Sequence, residues 1–273
     1  MIMTEKRPKI GIALGCGGAR GLAHLGVLKV LEREGIKIDM GVGVSIGSLI
    51  GAYFALGRDL SELEREALSF NKRKALSRLV DLSTFRRSIL RGKKAQRYIE
   101  KMFGEADFKD LEIPFEILAA DLGNGKEVII KSGSIAKAIQ ASISVPGIFP
   151  PVKYGDSYLV DGGIINPTPT EKAEKMGADI VIGVDLIKRS VDKIENPSLV
   201  TTLLLSYEII RNQGAMYCYG RTENGAIIIR PKISGAVNAF RFDDIGKFIR
   251  AGESAAEAAM PEIKKRIKEY KEK

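Results

Sequence analysis

The segment Gly43-Val44-Ser45-Ile46-Gly47 follows the G-x-S-x-G pattern, and it joins a strand predicted over residues 40–44 to a helix predicted over residues 46–56. A serine between such a strand and helix is typical of a nucleophile elbow, a strained turn that exposes the hydroxyl group. A side chain at either flanking position would clash with the turn, which explains the two glycines. The pattern predicts Ser45 as a nucleophile, and the alternative is a glycine-rich turn that only permits close packing.

Strands and helices alternate along the rest of the chain. This alternation predicts an α/β fold with a mostly parallel central sheet. We expect one domain over residues 1–273, in which residues 60–105 form a helical basic insertion and residues 199–273 a C-terminal helical part. Further strands are predicted over residues 9–15, 115–122, 127–131, 157–160, 179–186 and 226–230, and further helices over residues 19–34, 60–70, 93–103, 134–141, 168–176, 199–213 and 243–259.

The composition is that of an ordinary globular protein, with 45% hydrophobic and 28% charged residues. Two cysteines, Cys16 and Cys218, are too few for a disulfide framework and suit a reducing compartment, so we expect a cytoplasmic protein. The start of the chain lacks the apolar core of a secretory signal, and five glycines in the uncharged stretch 40–57 disfavour a membrane span. The single histidine, His24, excludes any mechanism that needs two histidines.

The net charge of +9 is concentrated between residues 72 and 101, where eleven lysines and arginines are opposed only by Asp81 and Glu100. A basic segment of this kind attracts anionic partners, so contact with an anionic membrane surface is one interpretation. A solvated helical face is the other. Nucleic acid is disfavoured, because the segment has few aromatic residues for base stacking and no recognised binding motif.

A second glycine-rich segment, Gly15-Cys16-Gly17-Gly18-Ala19-Arg20-Gly21, ends the first predicted strand and leads into a helix. Such loops direct backbone N–H groups toward an anion, so the segment fits a phosphate site or an oxyanion hole. The dinucleotide-binding pattern requires a glycine where Arg20 stands, and the Gly-Lys-Ser/Thr ending of a phosphate loop is missing. Beside an elbow serine the oxyanion hole is the better interpretation, and a tight strand-to-helix turn is the alternative.

A nucleophilic serine needs a base, and the sequence excludes the usual ones. No histidine follows Ser45 in the order that α/β-hydrolases require, and no Ser-x-x-Lys begins there. His24 lies one turn into the helix after the glycine loop, and we expect it to be packed or exposed away from the elbow. A carboxylate remains. Asp161, which is followed by Gly162-Gly163, ranks narrowly ahead of two other aspartates at predicted strand ends, Asp121 and Asp185. Burial would have to raise its pKa for it to act as a base.

This set of motifs resembles the bacterial patatin-like phospholipases, which are lipid acyl hydrolases with a Ser–Asp dyad. The resemblance covers about residues 9–186 and rests on three motifs in the family's order, with two flanking segments. The motifs are Gly17-Gly18-Ala19-Arg20-Gly21, Gly43-Val44-Ser45-Ile46-Gly47 and Asp161-Gly162-Gly163, and the flanking segments are residues 141–150 and Asn166-Pro167.

The resemblance implies that Ser45 is the nucleophile, that Asp161 is its base, and that the loop with Gly17, Gly18 and Arg20 supplies the oxyanion hole. It also implies a three-layer α/β/α patatin-type sandwich, a lipid or other acyl-ester substrate, and a reaction without a metal or another cofactor. The family's glycine loop usually reads G-x-G-x-x-G, and here Cys16 takes the place of the first glycine. The remaining motif glycines are Gly21, Gly43, Gly47, Gly162 and Gly163.

Two other functions remain open at this point. One is a non-catalytic lipid-binding or regulatory protein of the same fold, which the intact serine, aspartate and glycine loop disfavour. The other is a lipid acyltransferase, which would pass the acyl group to an alcohol or thiol instead of water. The sequence does not specify the natural ester or the oligomeric state.

Overall fold

The structure is a computed structural model that describes residues 7–69, 81, 88–187, 198–219, 222, 225–233 and 245–272. Six of the eleven basic residues between positions 72 and 101 lie outside the described residues. The first two residues of the helix predicted over 243–259 and the side chain of Cys218 also lie outside them.

The centre of the fold is a mostly parallel β-sheet, as predicted. The described strands are β1 (Ile10–Leu14), β2 (Met40–Val44), β3 (Phe115–Asp121), β4 (Glu127–Ile130), β5 (Val152–Tyr154), β6 (Ser157–Asp161), β7 (Ile180–Val184) and β8 (Ile227–Ile229). Their order is β5-β6-β3-β2-β1-β7-β8, and β4 also pairs with β3. The neighbours among β3, β2, β1, β7 and β8 are parallel, whereas β4, β5 and β6 form antiparallel pairs. The short edge strand β5 was not predicted from the sequence.

The helices flank this sheet. They are α1 (Ala23–Arg33), α2 (Ile46–Ala55), α3 (Leu60–Leu68), α4 (Lys93–Phe103), α5 (Ile135–Ser142), α6 (Thr170–Lys175), α7 (Leu199–Tyr219) and α8 (Ile245–Lys271). The helix predicted over residues 19–34 begins instead as a 3-10 turn, Gly18–Leu22, because the glycine loop enters it tightly. The predicted end near Pro261 is wrong, because α8 continues through the proline, where Met260 and Ile263 are both buried.

Two hydrophobic layers enclose the sheet. Successive residues of β1 point to opposite faces of the sheet. Ile12 joins a large core beneath α1, α2, α5 and α8, whereas Ala13 joins a small core with Ala173 of α6. Helices therefore cover both faces, which confirms the predicted three-layer α/β/α arrangement. The site described below lies at the carboxyl ends of the parallel strands β1 and β2, where such sheets place their functional groups.

The C-terminal strand β8 extends the central sheet, and the C-terminal helix α8 joins the helix layer that contains α1. Strand β8 pairs with β7, and α8 packs against α1 at very short range. A side chain at Gly26 of α1 would overlap the backbone of α8 at Ile249, and one at Gly252 of α8 would overlap the backbone of α1 at Ala23. The close contact of the two helices therefore requires both glycines. None of the described helices has the length and hydropathy that a membrane-spanning segment requires.

Candidate active site

Ser45 occupies the turn between β2 and α2 with φ +57° and ψ −129°, and among the described residues it alone combines a positive φ with a side chain. Holding a non-glycine residue in so sparsely populated a region costs of order 1–3 kcal/mol. A side chain at Gly43 would meet the carbonyl oxygen of Gly47 at 2.5 Å, and one at Gly47 would overlap the carbonyl of Leu14. The strained turn that the G-x-S-x-G pattern predicts is therefore present, and the flanking glycines give it the space it needs.

Hydrogen bonds from neighbouring elements hold this turn in place. The N–H of Ser45 donates to Oγ of Ser142 at 2.8 Å, and the Ser142 hydroxyl donates to the carbonyl of Leu118 on β3 at 2.7 Å. The hydroxyl of Ser48 donates to the carbonyl of Ser45 at 2.6 Å. Ser142 and Ser48 are both fully buried. Ser142 lies in the segment 141–150 that carried part of the family resemblance, but its role as an anchor was not predicted.

The glycine loop lies directly against the serine turn. A side chain at Gly21 would overlap Ile46, the residue after Ser45, so this glycine allows the loop to approach the start of α2. The N–H of Gly15 donates to Val184 at 3.1 Å, and that of Cys16 donates to Pro167 at 2.9 Å. The N–H groups of Gly17 and Gly18, in contrast, have no acceptor among the described residues. Two donors of the predicted oxyanion loop are thus left for a ligand.

The side chain of Arg20 is turned into the protein rather than toward the serine. Its Nη2 donates to Oε1 of Glu208 on α7 at 2.6 Å, and its Nε donates to the carbonyl of Gly17 at 3.3 Å. The guanidinium group is buried, and this burial lowers its pKa. Arg20 therefore supports the loop from behind, and the predicted oxyanion hole is left with backbone N–H groups as its donors.

His24 is fully buried, in agreement with its predicted role as a packed residue. Its Nε2 lies 2.7 Å from the carbonyl oxygen of Gly15, which can only accept, so Nε2 carries the proton. Burial lowers the pKa of the ring to about 4, so the neutral form is native at physiological pH. Cys16 is also buried, and burial raises the pKa of its thiol to about 12, which makes a reactive thiolate unfavourable.

Asp161 ends β6 and is completely buried. Its Oδ1 accepts a hydrogen bond from the N–H of Gly163 at 2.8 Å, which fixes the carboxylate over the Gly162–Ile164 turn. Its Oδ2 accepts no hydrogen bond of normal length from the described residues. Burial raises the pKa of Asp161, and the Ser45 hydroxyl, the Gly163 N–H and the Arg211 charge oppose that rise.

The two other aspartates considered from the sequence have hydrogen-bond and ion-pair partners away from Ser45. Asp121 accepts hydrogen bonds from Gly123 at 2.7 Å and from Ser157 at 2.6 Å, and these bonds lower its pKa. Asp185 accepts a hydrogen bond from Ile187 at 2.9 Å and pairs with Arg230 at 3.3 Å. Asp161, in contrast, lies where the Ser45 hydroxyl lowers its pKa.

Helix α7 contributes three buried polar side chains to this region that sequence reasoning missed. Nη2 of Arg211 donates to the carbonyl of Cys16 at 3.0 Å, and Nη1 donates to Oε1 of Glu208 at 3.3 Å. The guanidinium group also lies 5.4 Å from the ring centre of Tyr207. The spacing of these residues is that of any helix with one buried face, so nothing in the sequence distinguished them from a structural helix.

The Ser45 hydroxyl lies at the start of α2, where it lowers the pKa of the buried Asp161, and the glycine loop packs against the same helix start. The N-terminus of a helix carries partial positive charge, which favours an anion that develops on a bound group. This arrangement has the parts required for acyl transfer: a nucleophile, a proton acceptor and donors for an oxyanion.

The chain matches the family model of the patatin-like phospholipases over residues 12–174, which is more than half of its length. It is 37% identical over 185 residues to an uncharacterized NTE family protein of Mycobacterium tuberculosis, a match that spans 68% of this chain and 51% of that protein. The lysophospholipase NTE1 of Debaryomyces hansenii is 35% identical over 179 residues, which are 65% of this chain and 12% of that protein. This chain thus corresponds to about half of the mycobacterial relative and to a small part of the lysophospholipase.

Two solved structures share the fold. VipD from Legionella pneumophila superimposes with a TM-score of 0.58 at 12% identity, over 94% of this chain and 67% of that one. Human GIVD cytosolic phospholipase A2 superimposes with a TM-score of 0.56 at 12% identity, over 96% of this chain and 60% of that one. Similarity at this level of identity concerns the fold alone, and it confirms the predicted patatin-type α/β architecture.

Proposed function

Since the chain belongs to the patatin-like phospholipase family, we propose that it is a serine acyl hydrolase that cleaves fatty-acyl esters of lipids with Ser45 as nucleophile and Asp161 as base. The observation that carries this proposal is a serine in a strained elbow together with a fully buried carboxylate whose pKa the serine hydroxyl lowers. Burial raises the pKa of that carboxylate and so makes it a stronger base than an exposed aspartate.

The proposed reaction has two steps. Asp161 takes the proton of the Ser45 hydroxyl while Oγ attacks the ester carbonyl carbon, and the N–H groups of Gly17 and Gly18 bind the resulting oxyanion. The bond to the alcohol then breaks, and Asp161 returns the proton to the leaving oxygen. In the second step Asp161 deprotonates water, which attacks the acyl-serine, and the fatty acid leaves as Ser45 regains its proton.

Three features support a lipid ester as the substrate class. One relative is named a lysophospholipase, and human GIVD cytosolic phospholipase A2 was solved with a linolenyl fluorophosphonate inhibitor. Helix α7, whose buried residues contact the glycine loop, also presents large apolar side chains to solvent. These exposed side chains are Leu199, Leu203, Ile209 and Ile210. An apolar surface of this kind suits contact with acyl chains.

The test is hydrolysis of p-nitrophenyl esters of increasing acyl length, together with labelling by a fluorophosphonate probe. We expect the wild type to prefer medium or long chains and to be labelled at Ser45. Ser45→Ala and Asp161→Asn should each lower kcat at least about 10³-fold, as loss of a nucleophile or its partner does in serine hydrolases. Asp121→Asn is the matched control, because it removes the charge of another strand-end aspartate, and it should retain most activity.

The alternatives give different results in the same experiment. A non-catalytic binding protein would show neither labelling nor hydrolysis in the wild type, with or without lipid vesicles. An acyltransferase would form new esters or thioesters when alcohols or thiols are added, at the expense of free fatty acid. Full activity of Ser45→Ala would contradict the assignment of the nucleophile.

We also propose that the protein contacts anionic lipid surfaces peripherally through the segment 72–101. Among its described residues, Lys93, Arg97 and Lys101 follow one another at four-residue intervals on α4, and all three are exposed. Basic side chains beside an anionic surface contribute about 1 kcal/mol each, so three of them change vesicle binding by about 100-fold.

Sedimentation with anionic and neutral vesicles at low and high salt tests this contact. The triple variant Lys93→Gln, Arg97→Gln, Lys101→Gln should bind anionic vesicles much more weakly than the wild type does. The control triple variant Arg65→Gln, Lys265→Gln, Lys268→Gln removes the same charge from exposed residues elsewhere and should bind nearly as the wild type does. Equal binding to anionic and neutral vesicles, at low and at high salt, would contradict the proposal.

A further inference from the structure

Helix α7 lies beyond the family match, which ends at residue 174. It nevertheless places buried polar side chains near both the glycine loop and Asp161. Arg211 donates a hydrogen bond to the carbonyl of Cys16 in the glycine loop, and the hydroxyl of Tyr207 lowers the pKa of Asp161. Both side chains are more than nine-tenths buried. A helix that only covered the sheet would bury apolar side chains here, because buried polar groups are costly unless they have partners.

The contacts of Arg211 fix the position of the loop backbone. Its donation to the carbonyl of Cys16 at 3.0 Å constrains the peptide unit that ends in the Gly17 N–H, because that carbonyl and that N–H belong to the same planar peptide. Glu208 bridges Arg211 to Arg20, whose Nε in turn donates to the next carbonyl, that of Gly17. Two successive peptides of the loop are therefore held from α7.

Tyr207 acts on the buried carboxylate of Asp161 rather than on the glycine loop. Its hydroxyl is buried and makes no hydrogen bond of normal length with the described residues, and the same holds for Oδ2 of Asp161. Each group nevertheless shifts the pKa of the other: the Tyr207 hydroxyl lowers that of Asp161, and burial together with the Asp161 charge raises that of Tyr207. A phenol is a donor toward a carboxylate, so the Tyr207 hydroxyl favours the ionised form of Asp161.

We propose that Tyr207 and Arg211 are positioning residues of the site: Arg211 sets the oxyanion loop through the Cys16 carbonyl, and Tyr207 holds the ionised carboxylate of Asp161 toward Ser45. This inference rests on the proposed hydrolase function. It assigns to α7 a part in the reaction that the three sequence motifs do not include.

The two roles predict different kinetic signatures. Removing the Tyr207 hydroxyl takes away a donor to the ionised carboxylate, so the pKa of Asp161 rises and the acidic limb of the kcat/KM profile moves to higher pH. Among the described residues, the groups that act on Asp161 are the hydroxyls of Ser45 and Tyr207, the N–H of Gly163 and the Arg211 charge, and the neutral Cys16 thiol lies beside them. Tyr207→Phe removes the Tyr207 hydroxyl and leaves the other groups in place.

The first experiment compares pH profiles of kcat/KM for p-nitrophenyl ester hydrolysis. Tyr207→Phe should move the acidic limb upward by about one pH unit and recover toward the wild-type rate at high pH. Tyr53→Phe is the matched control, since Tyr53 is equally buried but packs against Phe103 away from the site. An unchanged limb in Tyr207→Phe, or an equal shift in both variants, would overturn the role of Tyr207.

The second experiment tests Arg211 by conservative rescue. Arg211→Met should lower kcat by about 10²-fold with little change in KM, since misplaced N–H donors act on the transition state. Arg211→Lys retains the charge and should restore part of that loss. Equal kcat values for Arg211→Lys and Arg211→Met, in variants with the wild-type circular dichroism spectrum, would overturn the role of Arg211. If Arg211→Met does not fold, the test rests on the kcat of Arg211→Lys, and a wild-type kcat in that variant would contradict the positioning role of Arg211.

These outcomes are separate from failure of the proposed function. If the hydrolase proposal is wrong, the wild type itself shows no Ser45-dependent hydrolysis and no labelling by a fluorophosphonate. If only the inference about α7 is wrong, the wild type is active and is labelled, while the Tyr207 and Arg211 variants behave as the controls do.

Discussion

The single histidine offers a direct measurement of how tightly the glycine loop is packed. His24 is buried beneath that loop and binds the carbonyl of Gly15 at 2.7 Å. Burial lowers its pKa from 6.5 to about 4, because the charged ring would have to give up its hydration. We therefore expect that mild acid destabilises the native protein through this residue.

The sign and size of the effect follow from the two pKa values. Between pH 6.5 and pH 4 the unfolded chain binds a proton at His24 that the native chain does not, so the free energy of unfolding falls as the pH falls. Above pH 6.5, the pKa of His24 in the unfolded chain, the ring is neutral in both states and the native protein keeps its full stability. Acidification from pH 7.5 to pH 5 removes about 2 kcal/mol of it, and about 3 kcal/mol is lost once the pH is below 4.

Urea unfolding of the wild type and of His24→Gln at several pH values between 7.5 and 5 measures this contribution. The glutamine amide can donate to the Gly15 carbonyl, but it does not titrate. Carboxylates with raised pKa values, such as Asp161 and Glu116, change the stability of both proteins alike. The wild type should therefore lose about 2 kcal/mol more than the variant over this range.

Parallel curves for the two proteins would refute the reasoning, since they would mean that the native state accepts a proton at His24 without cost. The imidazole C2 proton in an NMR titration gives an independent check, because one histidine produces one titrating signal. In the folded protein this signal should not titrate above about pH 5, and a midpoint near pH 6.5 would show that the ring is exposed to water.

The remaining predictions concern the serine turn, the helix contact and the buried thiol. Ser142→Ala leaves the N–H of Ser45 unpaired, so urea unfolding should show a loss of about 1–3 kcal/mol, and a stability within 0.5 kcal/mol of the wild type would contradict this. Gly252→Ala should lower the melting temperature despite the higher helix propensity of alanine, whereas Gly246→Ala, with only flexible side chains nearby, should not. Cys16 should resist alkylation by iodoacetamide at pH 8 in the native protein and react after unfolding, as mapped by mass spectrometry.

The sequence predicted the sheet and the serine turn because local chemistry determines both. Short apolar runs bounded by glycines identified the buried strands β1, β2 and β7, and their parallel pairing follows from the helices between them. The G-x-S-x-G pattern predicted the strained conformation of Ser45, since only glycines fit on either side of it. The edge strand β5 was missed, because three residues give too short a pattern.

The choice among the aspartates could not be made from spacing. Asp121, Asp161 and Asp185 all follow apolar strands, and their differences lie in partners that are distant along the chain. Ser157 binds Asp121 from 36 residues away, and Arg230 pairs with Asp185 from 45 residues away. The resemblance to a known family favoured Asp161 more strongly than the local pattern did.

The buried charges around the site explain why helix α7 matters for Asp161. Within the part of the chain that the structure describes, this cluster holds two arginines, Arg20 and Arg211, and one carboxylate besides Asp161, that of Glu208. If Asp161 were protonated, one arginine charge would remain buried without a counterion, and an unpaired buried charge is strongly destabilising.

The cost of that unpaired charge opposes the desolvation that raises the pKa of Asp161. The ionised base that the proposed mechanism needs therefore depends on α7, a helix that none of the three motifs includes.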